Sequence, residues 1–215
     1  MRIDIFSDVI CPWCFIGKRK LERALRETDV PDVSLRWRAF QLNPDMPAAG
    51  MDRRAYLERK FGAQERASQV YARVAEAGRQ AGIEFAFERI PRTPNTLDAH
   101  RLVRLASEQG RQDALVESLF QAYFVEGRDI GDHHELALLA RTAGLAAPAD
   151  DFSDWLAGTA QTEAVLEECA RAHELGITGV PCFVFDGRYA LSGAQPVEIF
   201  KQALQSVATG AAEAS

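Results

Sequence analysis

Cys11-Pro12-Trp13-Cys14 comes directly after a stretch in which Ile3 and Ile5 alternate with Arg2 and Asp4. A period of two is the mark of a strand with one face buried, so Arg2 to Phe6 is expected to form the first strand. From about Pro12 to Glu27 the spacing changes: Cys14, Leu21 and Leu25 fall on one face of a helix. Pro12 suits the first turn, where its missing N–H would have no intrahelical partner. Two thiols thus stand one turn apart at the mouth of the first helix. Cys14 should point inward, and Cys11, beside free backbone N–H groups, should remain accessible.

A thiol is mostly protonated at neutral pH, whereas disulfide exchange requires the thiolate. The helix macrodipole and the free N–H groups favour a negative sulfur at Cys11. Cys11 is therefore the expected nucleophile and Cys14 the resolving thiol that would displace a mixed disulfide. The same spacing also opens zinc sites, so a second element is needed to decide. Tetrahedral zinc takes four ligands, and no second CxxC or suitably spaced histidine pair is present. His133 and His134 are neighbours on a helix and point in different directions, so no metal is expected.

With 215 residues, 47% of them apolar, the chain can bury a sizeable core. The net charge of −6 and the lack of a Lys/Arg run interleaved with aromatics argue against nucleic acid as a partner. No apolar run approaches the roughly 18 residues of a membrane span. Asp4 and Asp8 interrupt the only stretch that could serve as a secretory signal, which predicts a cytoplasmic protein. In that reducing compartment four cysteines are more readily explained as catalytic or buried than as a disulfide framework.

Val33, Leu35, Trp37 and Ala39 alternate with Ser34, Arg36 and Arg38, which predicts a second strand before the turn-rich Asn43-Pro44-Asp45-Met46-Pro47. From about Asp52 to Gly176 the pattern is helices separated by glycine and proline breaks. Strand chemistry returns at Phe183-Val184-Phe185; Asp186-Gly187 is a hairpin signal, Tyr189-Ala190-Leu191 the returning strand, and Pro196 opens a last helix. The order is βαβ, many helices, ββα. This is an α/β protein with a thioredoxin arrangement into which an all-helical domain is inserted between the two halves. The expected boundaries are 1–50 and 177–208 for the thioredoxin-like part, 51–176 for the insertion and 209–215 for a flexible tail.

Four segments carry a family resemblance: Cys11-Pro12-Trp13-Cys14, the run from Trp37 to Asp45, the run from Pro94 to Leu102, and Thr178-Gly179-Val180-Pro181. Together, and in this order, they resemble the DsbA family of thiol–disulfide oxidoreductases, in particular its FrnE-like branch, related to the 2-hydroxychromene-2-carboxylate isomerases. The resemblance implies a protein dithiol–disulfide oxidoreductase acting on disulfide- or dithiol-containing proteins or small molecules and recycled by a cellular reductant. No bound cofactor is implied, and glutathione is a candidate co-substrate. Relatives include monomers and homodimers. The resemblance also implies a cis Pro181 beside the dithiol, with the Val180 backbone available to pair with an extended substrate. Trp13 is then an apolar platform for substrate, and Asn95 and His100 face the active-site cleft. Because Pro12-Trp13 includes no histidine, a milder redox potential than that of the periplasmic oxidant is expected.

Two other readings compete. In the related isomerases the first cysteine position is typically serine, so the intact dithiol argues against a glutathione-dependent isomerase of a small aromatic or polyketide-like compound. A zinc-binding or interaction module is the other. Among the remaining residues, Asp8 is either a turn residue or a charge opposing the thiolate, and Phe40 is expected in the core in preference to the cleft. Asn95 and Thr96 are expected to cap a helix. Cys169, grouped on a helix face with Leu166, Ala170 and His173, and Cys182 are expected to be buried inert thiols. The second, closely spaced cysteine pair of some FrnE-like proteins is not seen, so an activity relying on it is not expected.

Overall fold

The computed structural model describes residues 1–147 and 151–212. Its main sheet has the strand order β2-β1-β5-β6, formed by β1 (Arg2–Ser7), β2 (Ser34–Ala39), β5 (Cys182–Phe185) and β6 (Tyr189–Ser192). β1 runs parallel to β2, with Ile5 opposite Trp37, and antiparallel to β5, with Ile5 opposite Phe183. The parallel pair needs a crossover, and α1 (Pro12–Glu27) supplies it. The β5–β6 hairpin turns at Asp186 and Gly187, both at positive φ (47° and 69°), and the Arg188 N–H donates to Phe185 O at 3.0 Å. That is the primed turn geometry predicted by the Asp-Gly pair.

Between the two halves lie β3 (Met51–Asp52), α2 (Arg53–Phe61), α3 (Gln64–Gln80), β4 (Arg92–Thr93), α4 (Leu97–Glu108), α5 (Gln112–Gln121), α6 (His133–Thr142), α7 (Phe152–Ala157) and α8 (Thr162–Glu174). A one-turn π-helix, Ala122–Glu126, continues α5. The insertion is helical as expected, apart from the two-residue ladder of β3 with β4. Strands that short carry no readable alternation. α9 (Val197–Ala212) packs with α1 and follows Pro196, which accepts the first helical bonds from outside the helix. It runs through residues 209–212, which were expected in a flexible tail. Small residues such as Ala208, Ala211 and Ala212 are good helix formers and extend the helix. Residues 213–215 lie outside the described residues.

The sheet divides the core in two. Ile3, Ile5, Phe183 and Phe185 face α1 and α9, whereas Phe6, Phe40, Ala172, Ile177 and Cys182 form a second cluster on the opposite face, under α8. Arg38 pins α8 to this face by donating to Asp4 Oδ1 at 2.8 Å and to Glu168 Oε1 at 3.0 Å. The buried side of α8 is Val165 and Ala172 with Cys169 half-buried; Leu166, Ala170 and His173 are exposed. The expected grouping of Cys169 with those three is therefore corrected. Phe6 and Phe40 choose the face that meets the sheet, information that lies far away in sequence.

α1 is buried on more than one side: Cys14, Phe15, Ile16, Gly17 and Lys18 are consecutive and all buried. Phe15 stacks on Phe120 with centroids 5.0 Å apart, which joins the helix to the inserted domain. Lys18 reaches Asp113 and Glu117 of α5 at 3.2 and 3.1 Å, and Glu22 of its own helix. Gly17 faces the sheet. A Cβ there would lie 3.0 Å from the Phe183 ring and 3.1 Å from Pro181 Cγ. Any larger side chain would push α1 off β5. Gly17→Val is expected to lower the free energy of unfolding by about 1–3 kcal/mol, the usual cost of overpacking, as read by urea denaturation.

Candidate active site

Cys11 is the N-cap residue of α1, with extended backbone angles (φ −95°, ψ 111°), and its N–H donates to Asp8 O at 3.0 Å. Its sulfur therefore sits at the positive end of the helix, where free N–H groups and the macrodipole meet. The Val180–Pro181 peptide is cis, as the resemblance implied, and the Cys11 Sγ lies 3.6 Å from the Val180 carbonyl oxygen. That contact joins positions 169 residues apart in sequence. Gly17 makes it possible by letting α1 settle against Pro181 and Phe183.

Cys11 was expected to be accessible, and it is only 4% exposed. The loop carrying Val180 and the preceding Val9 and Ile10 close over it, a long-range covering that a helix-end argument does not include. Trp13, 39% exposed, forms the outward side of the motif. Cys14 is fully buried one turn on, its N–H donating to Cys11 O at 3.0 Å. Burial, and then the neighbouring Cys11, push the Cys14 thiol well above its ordinary range. All four cysteines are free thiols.

Just ahead of α1 is a buried polar pair. Asp8 is fully buried; its Oδ2 accepts from Leu42 N–H at 2.7 Å, and its Oδ1 lies 3.4 Å from His100 Nε2. The approach is close enough for an ion pair, while its geometry falls short of a hydrogen bond. His100, at 3% exposure, lies beside Asp8 in the interior. Its helix, α4, is amphipathic, and the face that carries Ala99, Leu102 and Val103 takes His100 inside with it. Asn95 accepts from Leu97 N–H at 2.9 Å and donates to Met46 O at 2.6 Å, so its amide ties the start of α4 to the loop after β2. The Asn95 cap is present, whereas Thr96 makes no side-chain cap bond.

The remaining candidates are set apart. Phe40 is buried and stacks on His173 at 5.3 Å. Cys182 belongs to the cluster beneath α8 and is separated from Cys14 by the sheet itself. Burial raises the Cys182 thiol and pushes Cys169 up to about 11. His133 Nε2 lies 2.8 Å from Asp98 Oδ2, and among the described residues no three His, Cys, Asp or Glu side chains gather as a metal site. Two features went unread in the sequence. Lys18 and Gly17 carry no local signal of their roles; only the packing of distant elements singles them out.

A dithiol at a helix start, in contact with a cis-proline loop at one end of a four-stranded sheet, is an arrangement of the thioredoxin class. The family model for the DSBA-like thioredoxin domain matches residues 2–205, and the chain belongs to that family. It is similar to the crystal structure of a probable DsbA oxidoreductase, SCO1869, from Streptomyces coelicolor, at 34% identity and a TM-score of 0.87, over 96% of this chain and 89% of the other. The fold is shared with a 2-hydroxychromene-2-carboxylate isomerase (18% identity, TM-score 0.73, 100% of both chains). It is shared too with the cytosolic disulfide reductase DsbM from Pseudomonas aeruginosa, whose structure contains GSH (20% identity, TM-score 0.67, 96% and 98% of the chains).

The raised Cys14 and Cys169 thiols carry a sign. A thiol that holds its proton more tightly when folded lends stability that is complete below its unfolded pKa and is lost as pH rises toward the folded value. For Cys169 the window runs from about 9 to about 11. Thermal unfolding is expected to shift to lower temperature across that range, and Cys169→Ala should flatten the decline. A decline of unchanged slope in that variant would contradict the assignment.

Proposed function

We propose that Cys11 and Cys14 exchange disulfides with proteins or small molecules through a mixed-disulfide intermediate. The observation that carries this reading is the placement of the Cys11 sulfur at the start of α1, 3.6 Å from Val180 O, with Cys14 buried directly behind it. The Cys11 thiolate attacks one sulfur of a substrate disulfide; that S–S bond breaks, and the departing thiolate takes up a proton from water. Cys14 then loses its proton and attacks the Cys11 sulfur. The substrate's second sulfur leaves as a thiolate, and a Cys11–Cys14 disulfide remains, two electrons having passed to the substrate. In reverse, the same steps oxidise a dithiol.

Each neighbour has a part in this. Trp13 offers an exposed apolar surface beside the nucleophile. The Val180 backbone, next to Pro181, stands where an extended substrate segment would lie alongside the sulfur. Asp8 and His100 form a buried polar pair just ahead of α1, where Asp8 fixes the Leu42 backbone by accepting from its N–H. Glutathione fits as the recycling reductant: two molecules would return the pair to the dithiol and leave as glutathione disulfide. The GSH in the DsbM structure supports this co-substrate, and a cytoplasmic location supplies it. The intact dithiol sets the reading apart from the isomerase alternative.

Insulin reduction with dithiothreitol is expected to accelerate in the presence of the protein. Cys11→Ser should abolish that acceleration and leave only the rate of dithiothreitol itself, because the nucleophile is lost. Cys14→Ser incubated with glutathione disulfide should retain one glutathione per chain on Cys11, read by mass spectrometry. A fully active Cys11→Ser variant would falsify the proposal.

A further inference from the structure

A cavity of about 570 Å³ opens in the inserted domain between α2, α3 and the segment before β4, with Leu57, Ala67, Tyr71, Phe87 and Ile90 on its walls. Arg53 also lines it and is nine-tenths buried, at 9% exposure. Its guanidinium donates from Nη1 to Thr93 Oγ1 at 3.1 Å and to Tyr123 OH at 3.4 Å, and from Nη2 to Tyr71 OH at 2.7 Å. The Nε–H and one Nη2 proton have no protein acceptor among the described residues. The charge lies against the rings of Tyr71 and Tyr56, 5.1 and 5.7 Å from their centroids.

No carboxylate among the described residues pairs with this cation. Asp52, next to it in sequence, caps α2 by accepting from Ala55 N–H at 2.9 Å, and Glu58 is held by Arg54 at 3.0 Å. Glu88 is an exposed side chain at the rim, beside Arg89. Burial pushes both Tyr71 and Tyr123 upward, so neither phenol serves as the counter-anion. An arginine cannot shed its proton, and Arg53, although neutral hydroxyls take three of its donors, has no counter-charge among the described residues. Its spare donors match the two oxygens of a carboxylate.

We infer that the cavity is a second ligand site, separate from the dithiol, and that it takes a small monocarboxylic acid whose carboxylate meets Arg53 and whose apolar body packs on Tyr71, Phe87 and Leu57. The rim carboxylates Asp52, Glu58 and Glu88 select against doubly charged anions, and the apolar walls against a bare inorganic one. The volume falls in the range of small-molecule pockets. This does not rest on the redox reading.

The test is calorimetric titration of the full chain with benzoate, with benzyl alcohol and inorganic phosphate as comparisons. Benzoate is expected to bind and to raise the unfolding temperature, and each comparison compound should bind at least about tenfold more weakly, since each loses one half of the recognition. Ser68→Trp, an exposed position on the cavity wall, should fill the space and weaken benzoate by a similar factor while the protein stays folded. Arg53→Gln should do the same where it folds. Absence of benzoate binding, equal binding of benzyl alcohol or phosphate, or unchanged affinity in Ser68→Trp would each overturn the inference.

Discussion

The close approach of α1 to β5 at Gly17 is the constraint on which the rest of the site depends. With hydrogen in place of a side chain, the helix lies directly on Phe183 and Pro181, and its N-cap residue, Cys11, comes to rest against the Val180 carbonyl. The sheet fixes the other side of the relationship, because β1 delivers the chain to Cys11 and is also the strand that pairs with β5. Two elements from opposite ends of the sequence are thus held at van der Waals distance by a missing methyl group. The inserted domain adds the third support through Phe15 and Lys18, which anchor the same helix from its other sides.

The two thiols of the pair end in different surroundings although they are three positions apart in sequence. Cys11 is at a helix terminus, where partial positive charge gathers; Cys14 is deep in the core, where ionisation is opposed by burial and by its neighbour. That asymmetry assigns order to the proposed chemistry. Asp8 and His100 come from the two structural parts of the chain and meet in the interior, each buried and each near the other.

Much of the fold was legible because its signals are local. Alternation at Ile3 and Ile5, the Pro12 start of α1 and the Asp186-Gly187 turn each express a backbone preference within a few residues. The dithiol and Pro181 were legible through motif and resemblance. What escaped notice depends on partners far along the chain. The burial of Cys11 is produced by residue 180, the inward turn of His100 by Asp8, and the β3–β4 ladder by two strands too short to show a period. Lys18 reads as a solvated charge until α5 brings carboxylates to it. On α8 the misread face shows the limit of apolar spacing alone: Leu166 is more hydrophobic than Ala172, yet Ala172 is the residue that meets the sheet.

The 169-residue separation between Cys11 and Val180 has a consequence for biosynthesis. A nascent chain has translated its dithiol, its first helix and the entire helical insertion before the ribosome reaches the strand that borders β1. Until then the central strand has an open edge, available to any other unpaired strand, and the thiols lack their cover. Completion of the redox centre and closure of the sheet are therefore the same late event. A chain terminated ahead of β5 would emerge as a sticky fragment with bare sulfhydryls, and not as a weaker version of the whole.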